Sequence, residues 1–292
     1  MAIFLEKLSR NRRSKGPALI VILLENVEMK RFCKALRSNL VALTAMIAVG
    51  VIGCSGSEVV HAPIDTGLPG WYGYRANAEG DGTGEWSIVG SVSLDSDNDG
   101  FLKSVRGSGV LSNGYEGKTV DLLTRQEYGD VEIYAEFMIP KGSNSGIYVM
   151  GRYEIQVLDS YGKKELKFGD CGGIYETWDP TKPKGGRGSG GVPPRVNATR
   201  PPGEWQSFVI TFRAPRFDQS GNKTANAKFV KVVHNGIVIH EDEEVPGPTR
   251  AARWPLLKDE TSVGPILLQG DHGPVAYRNI RVTSLGPIWL DF

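Results

Sequence analysis

Three short stretches of this sequence group side chains that could do chemistry together. In the first, Arg152, Glu154 and Gln156 alternate with Tyr153, Ile155 and Val157. In an extended strand the first three project to one face and the other three to the opposite face. The apolar set must face a core. The other face then carries a guanidinium, a carboxylate and an amide at roughly 7 Å spacing, a row of donors and acceptors suited to the hydroxyls of a sugar ring. A solvent-facing strand with mutual ion pairing would give the same alternation. The second stretch is Gln269-Gly270-Asp271-His272-Gly273, directly after the apolar run Ile266-Leu267-Leu268. His272 is one of 4 histidines in the chain. Asp271 beside it would raise its basicity, which makes it a candidate base or metal ligand, while a loop-capping histidine is the plainer reading. The third is Gly172-Gly173-Ile174-Tyr175-Glu176-Thr177-Trp178, where Tyr175 and Trp178 are either a platform for stacking sugars or core aromatics.

Other signals carry less. Asp95-Ser96-Asp97-Asn98-Asp99-Gly100 imitates the start of a calcium loop, but its twelfth position is Arg106 where a bidentate Glu is wanted, so it reads as an acidic turn. The glycines around residue 186 lack the Walker spacing, and there is neither a Gly-x-Ser-x-Gly elbow nor a His-Glu-x-x-His zinc motif. No metal ligand set is defined, and a divalent ion is the one cofactor left open. Cys171, alone in a glycine-rich stretch, reads as a small buried residue.

The elements that must hold these residues are strands. Residues 131–139 alternate with period two, 147–158 read as a second long strand, and 205–213, 229–233, 264–269 and 277–283 as further ones. Asn235-Gly236 is a type I′ hairpin signal. The body shows no amphipathic helix and no internal repeat. Many strands divided by turn residues, with Gly 37 and Pro 17 in the chain, predict an all-β, two-sheet antiparallel sandwich. Residues 179–203, rich in Pro, Gly, Lys and Arg, break the pattern as a long loop, functional or disordered.

The first 53 residues read as a targeting segment. Residues 40–53 form an apolar run whose only polar member is Thr44, too short for a comfortable membrane span, and Lys30, Arg31, Lys34 and Arg37 precede it. Val51-Ile52-Gly53-Cys54 resembles a bacterial lipobox, so Cys54 is expected to carry lipid, with residues 54–70 as a tether and 71–286 as the folded domain. Met29 is a candidate start, which would make residues 1–28 an upstream extension. The expected location is the bacterial cell envelope, lipid-anchored to a membrane. Of 34 Lys and Arg, 9 fall in residues 1–53, and of 33 Asp and Glu, 3 do, which leaves a body of net charge −5. That argues against nucleic acid as a partner.

Leu123-Thr124-Arg125-Gln126-Glu127-Tyr128-Gly129-Asp130, Asn144-Ser145-Gly146-Ile147 and Arg152-Tyr153-Glu154-Ile155-Gln156, taken in order, resemble the 3-keto-disaccharide hydrolase domain family. So do Gly172-Gly173-Ile174-Tyr175, Pro202-Gly203-Glu204-Trp205-Gln206, Asn235-Gly236, the run from Gly264 to Gln269, His272-Gly273 and Arg278-Asn279-Ile280. The likeness spans roughly residues 71–286 and departs in the long Gly/Arg-rich loop and the Gly-Asp-His-Gly turn. It implies a concanavalin A-like jelly roll and cleavage of glycosides oxidised to a ketone at C3. Such a ketone acidifies the C2 proton, so a base, a stabiliser of the enolate oxygen and a proton donor for the leaving oxygen are needed. Glu154 or His272 is the expected base and Arg152 the expected enolate stabiliser, with a divalent metal as a candidate aid. Gln156, Tyr175, Gln269, Trp178 and Asp159 are expected on the substrate. A lectin-like glycan-binding module and a conventional two-carboxylate glycosidase are the competing readings.

Overall fold

The computed structural model describes residues 59–61, 68, 70–74, 85–179, 181–249 and 259–286. The apolar run, the lipobox with Cys54 and the start at Met29 lie outside them. Seventeen strands are formed among the described residues. The first eight are β1 (Val59–His61), β2 (Trp71–Tyr74), β3 (Ser87–Asp95), β4 (Asn98–Ser112), β5 (Asp121–Tyr128), β6 (Val131–Met138), β7 (Asn144–Val149) and β8 (Tyr153–Leu158). Then come β9 (Thr177–Trp178), β10 (Gly188–Ser189), β11 (Gln206–Arg213), β12 (Arg216–Phe217) and β13 (Lys223–Ala225). The last four are β14 (Ala227–His234), β15 (Ile237–Val245), β16 (Gly264–Leu268) and β17 (Ala276–Ser284).

All pairings are antiparallel. One large sheet runs β15-β14-β11-β6-β17-β4-β3, with β1 also on β17, and a five-stranded sheet runs β2-β5-β16-β7-β8. This is the expected all-β sandwich. Period-two alternation explains it: in β11 the residues alternate buried and half-buried along the whole strand. Ile133, Ala135 and Phe137 of β6 meet Phe208, Ile210 and Phe212 of β11, Phe229 of β14, and Ile147, Tyr153, Ile155, Ile266 and Leu268 of the smaller sheet in one core. Stacked Phe137 and Phe208, with ring centroids 5.0 Å apart, lie at its centre. Each such side chain contributes about 1.5–3 kcal/mol by leaving water.

Three expectations are refined. The long strand expected over residues 147–158 is the hairpin β7–β8. Met150 (φ 56°) and Gly151 (φ 63°) reverse the chain, and a methionine in the left-handed region gives no warning in sequence. Residues 59–61, expected in the tether, pair with Arg281–Thr283 of β17 through their backbone. The 179–203 loop is tied down at several points. Val192 exchanges backbone hydrogen bonds with Ile174, and Asn197 Nδ2 donates to the carbonyls of Ser160 and Lys163. The Asn235-Gly236 turn forms as expected, with φ of 50° and 83°.

Candidate active site

The five-stranded sheet has two unlike faces. One supplies the core. On the other, strand register lines up residues from neighbouring strands: Tyr72 with Leu123, Leu123 with Leu267, Leu267 with Tyr148, and Tyr148 with Glu154. Leu123, Tyr148 and Leu267 form a small apolar cluster of their own, against which Tyr72 packs. One row along, Gly146 faces Gln156, and the amide of Gln269 donates to the carbonyl of Gly146 at 3.0 Å. Glu154 and Gln156 therefore share a face, as their alternation predicts, while Tyr153, Ile155 and Val157 join the core.

Gly146 matters because it lacks a side chain. A Cβ there would run into Glu154 Oε1 and crowd the Tyr148 ring. The glycine thus lets the Glu154 carboxyl fold over β7. Glu154 is only 3% exposed. Burial pushes its pKa up to about 8, against smaller opposing effects of Tyr148, His272 and Thr249. Thr249 Oγ1 lies 3.5 Å from Glu154 Oε2. The Tyr148 hydroxyl stands near enough to favour the carboxylate but reaches no hydrogen-bond geometry with any described residue. Gln156 Oε1 and Gln269 Oε1 are likewise buried without a partner among the described residues, although Gln156 Nε2 donates to Asn144 Oδ1 at 2.9 Å. Buried polar atoms are almost always paired, so three such atoms on one face leave hydrogen-bonding capacity open to a ligand.

The His272 turn sits beside this floor. His272 Nδ1 bonds Asp271 Oδ1, and the imidazole is half-exposed. Asp271 raises the basicity of the His272 ring against partial desolvation, with further help from the charge of Asp121. Asp121 accepts the amide of Gly270 at 2.8 Å. The carboxylates of Asp121 and Asp271 thus already hold protein partners, and among the described residues no group of three or more His, Cys, Asp or Glu gathers as metal ligands would. The donor set among the described residues does not fit a divalent ion.

Arg152 is not brought to this cluster. It lies in the turn before β8, where Nε donates to the carbonyl of Asp259 at 2.7 Å and Nη1 to that of Met150 at 2.8 Å. Its charged surroundings are Glu127, Asp259 and Glu260. The turn at Met150 and Gly151 breaks the strand that the alternation predicts and removes Arg152 from its polar row. Asp159 caps the strand end, accepting the amides of Gly142 at 2.9 Å and Tyr161 at 3.3 Å. Tyr175 donates its amide to the Glu154 carbonyl at 3.1 Å, and the Ile155–Ile174 bridge sets it on the same face as Glu154. Trp178 lies further along the same segment, half-buried, under the Arg187 guanidinium at 5.5 Å. Cys171 is free and buried, its thiol pushed up to about 12 by burial, as a core residue would be. Sequence reasoning missed Tyr148, Thr249 and Asp121. Tyr148 lies in an apolar run, and only the pairing of β7 with β8 sets it opposite Glu154.

Comparison with known proteins agrees with this architecture. Residues 65–283 match the 3-keto-alpha-glucoside-1,2-lyase-like domain. The chain belongs to this family. No curated protein matches it. Among solved structures, a candidate glycosyl hydrolase from Parabacteroides distasonis is 27% identical, with a TM-score of 0.53, over 78% of this chain and 84% of that one. A second candidate glycosyl hydrolase from the same organism is 20% identical, with a TM-score of 0.45, over 76% and 97% of the two chains. An endo-beta-1,4-glucuronan lyase from Trichoderma reesei is 14% identical, with a TM-score of 0.39, over 76% and 94%. Family membership makes this a carbohydrate-active domain.

Proposed function

We propose that this domain cleaves glycosides bearing a ketone at C3, by removing the C2 proton and expelling the group on C1. The observation that carries the reading is the pair of neutral O–H groups on one buried face: the Glu154 carboxyl, kept largely protonated by burial, and the unpartnered Tyr148 hydroxyl. Two such donors suit the C3 oxygen as it gains charge, because they stabilise the enolate more than the ketone. They take the part that sequence alone gave to Arg152, whose Nε and Nη1 are already bonded to main-chain carbonyls. His272, steadied by Asp271 at Nδ1, is the base through Nε2. It takes the C2 proton, the electron pair forms the C1–C2 double bond through the enolate, and the C1–O bond breaks. The departing oxygen takes the proton that His272 carried away from C2 and leaves as the free alcohol, which returns His272 to its neutral form. Water added across the double bond then gives net hydrolysis. The orphaned oxygens of Gln156 and Gln269 accept from ring hydroxyls, and Tyr175 and Trp178 flank the sugar. A conventional glycosidase needs a second free carboxylate, and Asp121 on the same face is already bonded to the Gly270 amide.

Mass spectrometry of products from 3-keto glucosides and their unoxidised parents, with and without EDTA, tests this. Cleavage of the keto forms alone is expected. Cleavage of the parents would make it an ordinary glycosidase, and binding without product would make it a lectin-like module. The lipobox reading adds that the domain is displayed on a bacterial envelope through lipid on Cys54. Cys54→Ser is expected to move the protein from the membrane to the soluble fraction.

A further inference from the structure

The turn that carries Asp271 and His272 is exposed at its tip, yet its two ends are fixed from within. Asn113 is fully buried. Its Nδ2 donates to the carbonyls of Gly270 at 3.1 Å and Gly273 at 2.9 Å, and its Oδ1 accepts the amide of Val275 at 2.7 Å. One carboxamide therefore clamps both sides of the turn, and the task needs a donor and an acceptor on the same planar group. Neighbouring contacts reinforce it. The amide of Gly273 donates to the carbonyl of Gly117, and Ser143 Oγ donates to the carbonyl of Pro274 at 2.7 Å. Gly117 has φ 60°, and a Cβ on it would overlap the backbone of Gly273 and Pro274. None of these groups is Asp271 or His272.

We infer that Asn113 is the positioning residue of this site: its buried carboxamide, bonded to both ends of the 270–274 turn, sets where His272 stands beside the Glu154 face. Asn113 touches no substrate and acts through the turn. The inference rests on His272 being a working group of the proposed reaction. Sites of this kind lose rate when a reacting group shifts by about 1 Å, so the clamp has a function beyond stability.

Two variants of the full chain test it. Asn113→Leu keeps a side chain of similar size but removes all three side-chain hydrogen bonds. Gly117→Ala pushes the turn from the other side with Asn113 intact, and serves if the first variant fails to fold. The readouts are the NMR titration of the His272 ring, assigned by comparison with His272→Gln, and steady-state kinetics on a 3-keto glucoside. Asp271, Asp121 and Glu154 are the acidic groups facing the ring. In both variants the His272 midpoint is expected to fall towards that of an ordinary histidine, and kcat to fall at least tenfold with KM within about twofold. Wild-type titration of His272 in both variants would overturn the inference. A shifted titration with undiminished turnover would leave Asn113 as the residue that positions the turn and remove His272 from the reaction.

Discussion

Burial changes what a carboxyl group can do. Glu154 in water would be ionised at neutral pH, and folded beneath the sheet's loops it stays largely protonated until about pH 8. A neutral carboxyl donates a hydrogen bond, which an ionised one cannot. Removing that donor by Glu154→Leu is expected to lower kcat about 10²- to 10⁴-fold, with KM for 3-keto glucosides less affected, whereas Glu154→Gln keeps a neutral N–H donor and is expected to lose less. The same burial works against stability. The unfolded chain releases the Glu154 proton near pH 4.5 and the folded one near 8, so the folded state binds more protons between those values and stability falls as pH rises through that window. Glu154→Gln is therefore expected to stabilise the protein at pH 8 by up to about 4 kcal/mol in urea unfolding, while making it a poorer enzyme.

The elements divide these duties. The large sheet and the core face of the small one supply stability through an aromatic layer, in which Phe208 stacks on Phe137 and sits 4.5 Å from the His234 ring centroid. Phe208→Ala is expected to cost about 3–5 kcal/mol in chemical denaturation, with the pH dependence of activity unchanged where the variant is folded. The opposite face of the small sheet forgoes some of that stability. Tyr148 of β7, Gln156 of β8 and Gln269 just after β16 each leave one buried polar atom there without a partner among the described residues. The hairpin turn at Met150 and Gly151 brings Tyr148 opposite Glu154 and sends Arg152 away.

On the scale of the whole molecule, the buried histidines set the acid limit. His234, held to about 3 by burial, bonds Gln206 at 3.0 Å, and His240, also lowered by burial, bonds the carbonyl of Gly172 at 2.7 Å. Both stay neutral when folded and take up protons near pH 6.5 when unfolded. Their contribution is complete above that pH and is lost as pH falls towards their folded values. Set against Glu154, whose effect has the opposite sign, this gives a stability dome with its maximum near neutrality. Thermal melting from pH 4 to 9 is expected to fall on both sides. Glu154→Gln should flatten the alkaline limb and steepen the acid limb between about pH 4.5 and 6.5, where the Glu154 slope opposes that of the histidines.

Much of this was legible in the chain itself, because period-two burial writes a strand's two faces directly into residue order. Residues 131–139 and the alternation of Tyr153, Ile155 and Val157 with Glu154 and Gln156 determined the sandwich and the polar face. Asn235-Gly236 determined a hairpin, since those two residues tolerate positive φ. The ordered run of motifs was enough to point to the family. Tertiary structure alone decided the site. Glu154 meets Tyr148 only through the register of β7 and β8, Asn113 meets the His272 turn across some 160 residues of sequence, and Arg152 is removed by a methionine in a backbone conformation its residue type does not announce. Local order fixes which way a side chain points, and only the packing of distant strands fixes what it points at.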